Sequence, residues 1–155
     1  MKIVSCIVRM LRYTWASPYS LVGLLLSVVA ILFGATLRIR DGTVEVAGGR
    51  IWAWVSRLPR LLRFFAITFG HVIFGSSHDL LGHHRSHERV HVQQYERWGI
   101  LFIPLYFASS LVQFLRGRDP YLGNCFEQEA DLHATKVVKS PCDSPGRPEN
   151  FRRTS

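Results

Sequence analysis

Arg85 to Gly99 reads RSHERVHVQQYERWG, and its periodicity decides how the middle of the chain folds. From Ser77 onward Leu80, Leu81, His84, His87, His91, Tyr95 and Trp98 recur, the adjacent leucines apart, at the three- and four-residue spacing of an α-helix. Gly99 supplies the stop, since the position after a helix commonly takes the left-handed conformation that glycine tolerates. The pattern predicts one helix over this stretch.

Residues four apart on a helix lie one turn apart on one face, so His87 and His91 present two imidazoles to one point, with Glu88 beside them. A strand would hold them far apart. The order H-E-x-x-H therefore makes a candidate zinc pair. Zinc takes about four ligands, of which a catalytic site draws three from protein and leaves one position for water. Cysteine does not supply the third: Cys6, Cys125 and Cys142 are an odd number without a C-x-x-C, against both a thiolate site and a disulfide framework. Any metal falls to His and carboxylate. NCFEQEADLHA, Asn124 to Ala134, gathers acidic residues in a chain with 19 Lys and Arg against 11 Asp and Glu. Glu127 and Asp131 are four apart, so on a helix one can bind metal while the other accepts a hydrogen bond from a ligand histidine.

H-E-x-x-H followed by E-x-x-A-D, here Glu127-Gln128-Glu129-Ala130-Asp131, resembles the gluzincin metallopeptidases. The likeness is particularly to the membrane-associated prenyl-protein endopeptidase and heat-shock protease group, and over the whole chain HERVH followed by QYERWG most resembles small uncharacterised bacterial proteins. The resemblance implies zinc on His87, His91 and Glu127, Glu88 as general base, and Asp131 orienting a histidine. It also implies a strand ahead of the helix, along whose edge a peptide substrate lies, a role falling to residues 66–74. Metzincins are excluded, because their longer motif needs Gly and His where this chain has Gln94 and Arg97. His133, His71, Tyr95 and Tyr121 are candidates for stabilising an oxyanion. His78, His83 and His84 read as solvated or cap-proximal, His84 with a chance of bonding behind a ligand. Glu129 reads as a solvated neighbour and Cys125 as a small packing residue.

The chain's 155 residues suit one domain, and its net charge of +8 favours acidic partners. Arginines scattered through apolar sequence, with no nucleic-acid-binding signature, point to membrane lipid; no nucleic acid is expected. YSLVGLLLSVVAILFGATL, Tyr19 to Leu37, carries no charge, and as a helix it would reach about 28 Å, close to the thickness of a bilayer core. A retained anchor, a signal peptide and a buried core helix compete for it, with the anchor preferred. The larger basic cluster after the run turns the following domain toward the cytoplasm, for example at a bacterial inner membrane.

LRIRDGTVEVAGG predicts two short strands about an Asp41-Gly42 hairpin turn, and AITFGHVIFG, Ala66 to Gly75, a third strand holding His71. IWAWVSRLPRLLRFF is basic and aromatic, interrupted by Pro59, with Trp52 and Trp54 suited to a membrane interface or to a core. GILFIPLYFASSLVQFL, Gly99 to Leu115, is uncharged, but a full crossing would part Glu127 from His91, so it reads as a re-entrant or interfacial helix or as core. RGRDPYLGN then forms a polar turn.

The expected architecture is α+β: a zincin-like domain with a small antiparallel sheet on the active-site helix, plus an N-terminal apolar helix. Its divisions are a basic segment over 1–18, the anchor over 19–37, the metallopeptidase domain over 38–138 and a proline-rich disordered tail over 139–155. The expected function is hydrolysis of peptide or protein substrates by zinc-bound water, Glu88 taking its proton. Two rivals stay open: an inactive membrane protein with a structural zinc site, and a metal-free basic adaptor at the membrane surface.

Overall fold

Helix α1 runs from Lys2 to Leu32, beginning well before the uncharged run and ending short of Leu37. Lys and Arg are good helix formers, so the basic residues ahead of Tyr19 extend the helix instead of preceding it. Pro18 lies inside it. Its missing N–H would leave the Thr14 carbonyl without a helical donor, and the Ser17 hydroxyl donates to that carbonyl at 2.7 Å. Gly34, at φ 87°, ends the helix, and Thr36 already begins a strand. The computed structural model describes residues 2–55, 57 and 66–138, so Pro59 and the tail over 139–155 lie outside the described residues.

Strands β1 (Thr36–Arg40) and β2 (Thr43–Ala47) pair antiparallel, as the sequence predicts. Asp41 and Gly42 between them take φ of 49° and 81°, the positive angles a type I′ turn requires. After the short helix α2 (Arg50–Val55), the expected third strand proves to be two, β3 (Ala66–Phe69) and β4 (Val72–Gly75), paired antiparallel. Gly70, at φ 59°, reverses the chain inside a continuous apolar run, which puts His71 in a turn and not within a strand.

Sheet order is β1-β2-β4-β3, with β2 and β4 parallel. The sheet is thus mixed, not the antiparallel one expected. The chain carries β3 to the outer edge, and the tight return at Gly70 lays β4 beside β2 in the same direction.

Alternation sorts the sheet's side chains. Val46, Val72 and Phe74 pack with Ala30 and Ala35, while Ala47 and Ile73 on the opposite face pack with Leu81 and Val92 of helix α3 (His78–Trp98). Every residue of β4 is buried because both faces are covered. Trp52 packs half-buried against the cluster beside Ala30.

Small residues make the inward face of α1: Ala16, Ser20, Gly23, Ser27 and Ala30 recur at helical spacing, with Gly23 and Ala30 against the sheet and Ala16 against Tyr95, Phe102 and Phe126. A Cβ on Gly23 would stand 2.8 Å from the Val72 Cβ, so this backbone approach needs glycine. The helix covers the sheet face opposite α3 with its C-terminal half, around Gly23 and Ala30, while Ala16 and Tyr19 meet Tyr95 of α3 directly.

Ser77 caps α3 by accepting the Leu80 N–H at 3.1 Å, and Gly99 ends it at φ 53°. A 3-10 turn at Gly99–Leu101 leads into α4 (Phe102–Leu115), of which only Phe102 is buried. After the turn over 116–124, Asn124 caps α5 (Cys125–Val138): its Oδ1 accepts the Phe126 N–H at 3.0 Å. Its Nδ2 donates to the Tyr106 carbonyl at 3.0 Å and to Ser110 Oγ at 2.7 Å, binding α5 to α4.

Candidate metal centre

The helical spacing on α3 and the cap on α5 bring His87, His91 and Glu127 to one point. His87 Nε2 lies 3.1 Å from His91 Nε2 and 3.2 Å from Glu127 Oε2, and His91 Nε2 lies 3.5 Å from Glu127 Oε1. Ligands held about 2.0–2.2 Å from a tetrahedral zinc stand roughly 3.3–3.5 Å from one another, so these separations suit one small cation. All three residues are largely buried.

Partners behind the imidazoles decide what faces inward. His87 Nδ1 is 3.0 Å from Asp131 Oδ1, and His91 Nδ1 is 2.8 Å from Gln94 Oε1. The Gln94 amide is oriented by its own Nε2, which donates to the Phe126 carbonyl at 3.0 Å and to Glu129 Oε2 at 2.9 Å. Both Nδ1 atoms therefore meet acceptors and carry the ring protons, leaving both Nε2 atoms as bare lone pairs in neutral histidine. Glu127 is divided in the same way. Its Oε1 accepts the Tyr106 hydroxyl at 2.7 Å, while Oε2 is buried without a hydrogen-bond partner. Three potential ligand atoms thus converge on one point, and they could hold a metal ion together.

The protons that the cluster binds follow the same electrostatics. Burial pulls His87 and His91 down, but the hydrogen bonds and charge of Glu127, with Glu88 adding to it, outweigh burial and raise both above the ordinary histidine value. Burial would raise Glu127, yet His87, His91 and Tyr106 together hold it well below the usual carboxylate range.

Glu88, 6 % exposed, faces β3: its Oε2 accepts the Thr68 hydroxyl at 2.7 Å, and the Thr68 carbonyl accepts the Tyr95 hydroxyl at 3.0 Å. Of the residues 66–74 expected to form an edge, only β3 does so, with no strand paired on its outer side among the described residues, while β4, directly ahead of α3, lies between β2 and β3. Arg89, inside the motif, turns away to the hairpin and pairs with Asp41 at 2.9 Å.

The oxyanion candidates separate by position. His71 stacks on Tyr13 and reaches Glu96 at 3.3 Å, on another face of α3 from His87 and His91. Tyr95 is committed to Thr68. His133 is exposed on α5 and makes none of the cluster's bonds. Tyr121 stands beside Glu127: burial first, then the Glu127 charge, push its phenol up. Glu129 is no solvated bystander, for it binds Gln94 and Arg97. Cys125 is exposed, with the Ser109 hydroxyl 3.3 Å from its sulfur. His83 and His84 are exposed, and His78 opens α3 with Nε2 2.9 Å from Thr36 Oγ1.

Sequence reasoning passed over Gln94, Thr68 and Tyr106. Gln94 follows His91 by three, a helical neighbour on the same face, and that spacing was a usable signal. Thr68 and Tyr106 arrive through tertiary packing alone. Protein-family models, curated proteins and solved structures return no match to the chain.

Proposed function

We propose that this protein is a membrane-associated zinc-dependent peptidase with a zincin-like domain. The observation that carries the reading is the convergence of the His87 and His91 Nε2 atoms and the Glu127 carboxylate, with Nδ1 of each ring meeting an acceptor behind it. Zinc on His87, His91 and Glu127 would supply a Lewis acid and an acidified water at neutral pH.

The chain's own groups would do the rest. Thr68 fixes Glu88 through Oε2, which leaves Oε1 to take a proton from the attacking water and pass it to the leaving amine. Asp131 and Gln94 hold the two rings in their metal-binding tautomer, and Tyr106 keeps Glu127 from rotating. Tyr121 is the one phenol or imidazole among the oxyanion candidates placed beside the cluster, and it would donate to a carbonyl oxygen gaining charge.

A structural zinc reading draws on the same atoms, since the cluster links α3 to α5. Glu88 separates the two. A general base contributes about 10²–10⁴-fold to rate, so Glu88→Gln is expected to keep one zinc per chain and abolish cleavage of a peptide library. Cleavage by the wild type that survives unchanged in Glu88→Gln would refute the assigned base. Tight zinc with no cleavage by either protein would leave the structural reading.

A further inference from the structure

The apolar surface that the fold leaves uncovered is large, and it has a definite layout. On α1 the small-residue stripe faces inward, and Leu21, Leu25, Val28 and Leu32 on the other faces are exposed. On α4, Phe107 and Phe114 are 65 % and 66 % exposed. The two surfaces meet: the Tyr19 hydroxyl donates to the Ile100 carbonyl at 3.0 Å, just where the chain enters α4. Patches of this extent mark a membrane or partner contact.

Length and hydropathy alone would let α1 cross a bilayer. Its packing argues otherwise. Gly23 and Ala30, in the middle and last part of the apolar run, lie against Val72, Val46 and Phe74, so a crossing would carry the sheet into the bilayer with α1. Strand β1, exposed along its whole length, bears Arg38 and Arg40, and among the described residues no strand pairs with its outer side. Open sheet edges do not occur in lipid hydrocarbon, and arginine there costs several kcal/mol.

We propose that the exposed face of α1 and the tip formed by α4 and its following turn make one seat in a single leaflet of an anionic bilayer, so that the protein lies in the membrane surface without spanning it. Charge favours a lipid occupant: Arg38 and Arg40 follow α1 and Arg116 and Arg118 follow α4, against Asp41 and Asp119, in a chain of net charge +8. The seat stands whether or not the metal cluster is catalytic. It holds that cluster near the lipid surface, because Tyr106 of α4 bonds Glu127 directly.

Two measurements test it on the full chain. With Cys6, Cys125 and Cys142 changed to Ser, single reporters Lys2→Cys and His83→Cys are treated with a membrane-impermeant maleimide in intact and in lysed spheroplasts of a bacterial host. Protein in the membrane fraction with both thiols reached from the same side is expected. Thiols reached from opposite sides would show a span and overturn the proposal, as would protein recovered in the soluble fraction with its apolar face covered by a second copy. Purified protein is then bound to phosphatidylcholine vesicles with and without phosphatidylglycerol. The anionic vesicles should bind more tightly, and Phe114→Asp should weaken binding about tenfold with zinc content unchanged. Equal binding of variant and wild type would remove the α4 tip from the seat.

Discussion

Replacing Gln94 tests the tautomer argument on which the metal centre rests. The residue is 1 % exposed and makes three bonds: it accepts from His91 Nδ1 and donates to the Phe126 carbonyl and to Glu129. Gln94→Leu fills most of the volume but strands the buried His91 N–H, at about 1–3 kcal/mol, while the Phe126 carbonyl keeps its helical donor within α5. Glu129 keeps Arg97, so its loss adds little. The loss is roughly 1–3 kcal/mol, or about 2–12 °C in melting temperature for a chain of this size. Freed from its acceptor, the His91 ring can turn and present a protonated nitrogen to the metal, which typically weakens affinity about 10–100-fold. Gln94→Glu divides the two effects: it still accepts from His91, but it sets a carboxylate against the Phe126 carbonyl and Glu129. It should therefore lower stability while leaving zinc affinity within about threefold of wild type. Thermal melts of metal-free protein and zinc titration against a chromophoric chelator read both quantities. A folded Gln94→Leu that binds zinc as tightly as wild type would refute the reasoning, because His91 would then need no fixed tautomer.

The pH dependence has a definite sign. The raised His87 and His91 values stabilise metal-free protein below about 6.5, with the gain lost as pH rises through the folded values, whereas depressed Glu127 stabilises above 4.5 and loses its effect only in stronger acid. Metal-free protein should thus lose stability as pH rises above 6.5 while zinc affinity grows, a pairing that melts with and without zinc will check. Arg85→Met strands Glu45, 1 % exposed and otherwise bound by Arg85 at 2.8 Å, so chemical denaturation should show a loss of about 3–5 kcal/mol, much of it recovered by adding Glu45→Leu. Gly23→Leu should cost about 1–3 kcal/mol or more by prising α1 from Val72, and an unchanged melt would mean that α1 does not pack on the sheet as described.

What could be read from the sequence was local. Ser77, Gly99 and the apolar period between them mark α3, and Asp41-Gly42 marks the hairpin, because each signal is a conformational requirement of a few adjacent residues. AITFGHVIFG misled for a physical reason: strands covered on both faces lose their alternation, so the reversal at Gly70 left no polar mark. The limits of α1 were set by charge, whereas the helix follows propensity through Arg9 and Arg12 and survives Pro18 with help from Ser17. At the site, His87, His91, Glu127 and Asp131 were visible as two pairs four apart on two helices, and the structure brings those pairs together. Tyr106 left no local trace, since it reaches Glu127 from a third helix.

Helix α3 meets three environments at once, which explains why so polar a helix is held in place. Leu81 and Val92 dock on the sheet, His87, His91 and Gln94 face α5, and Arg85, Arg89 and Glu96 bond Glu45, Asp41 and His71. These charges in and around the motif are thus docking contacts to the hairpin and the Gly70 turn. Glu88 lies between the sheet and the cluster, and it can occupy that place only because β3 offers the Thr68 hydroxyl to a carboxylate that burial would otherwise penalise. A helix needing only a structural zinc would be served by its two histidines. The buried glutamate held between them and β3 is the feature on which the proposed hydrolytic reading rests, and Glu88→Gln tests it.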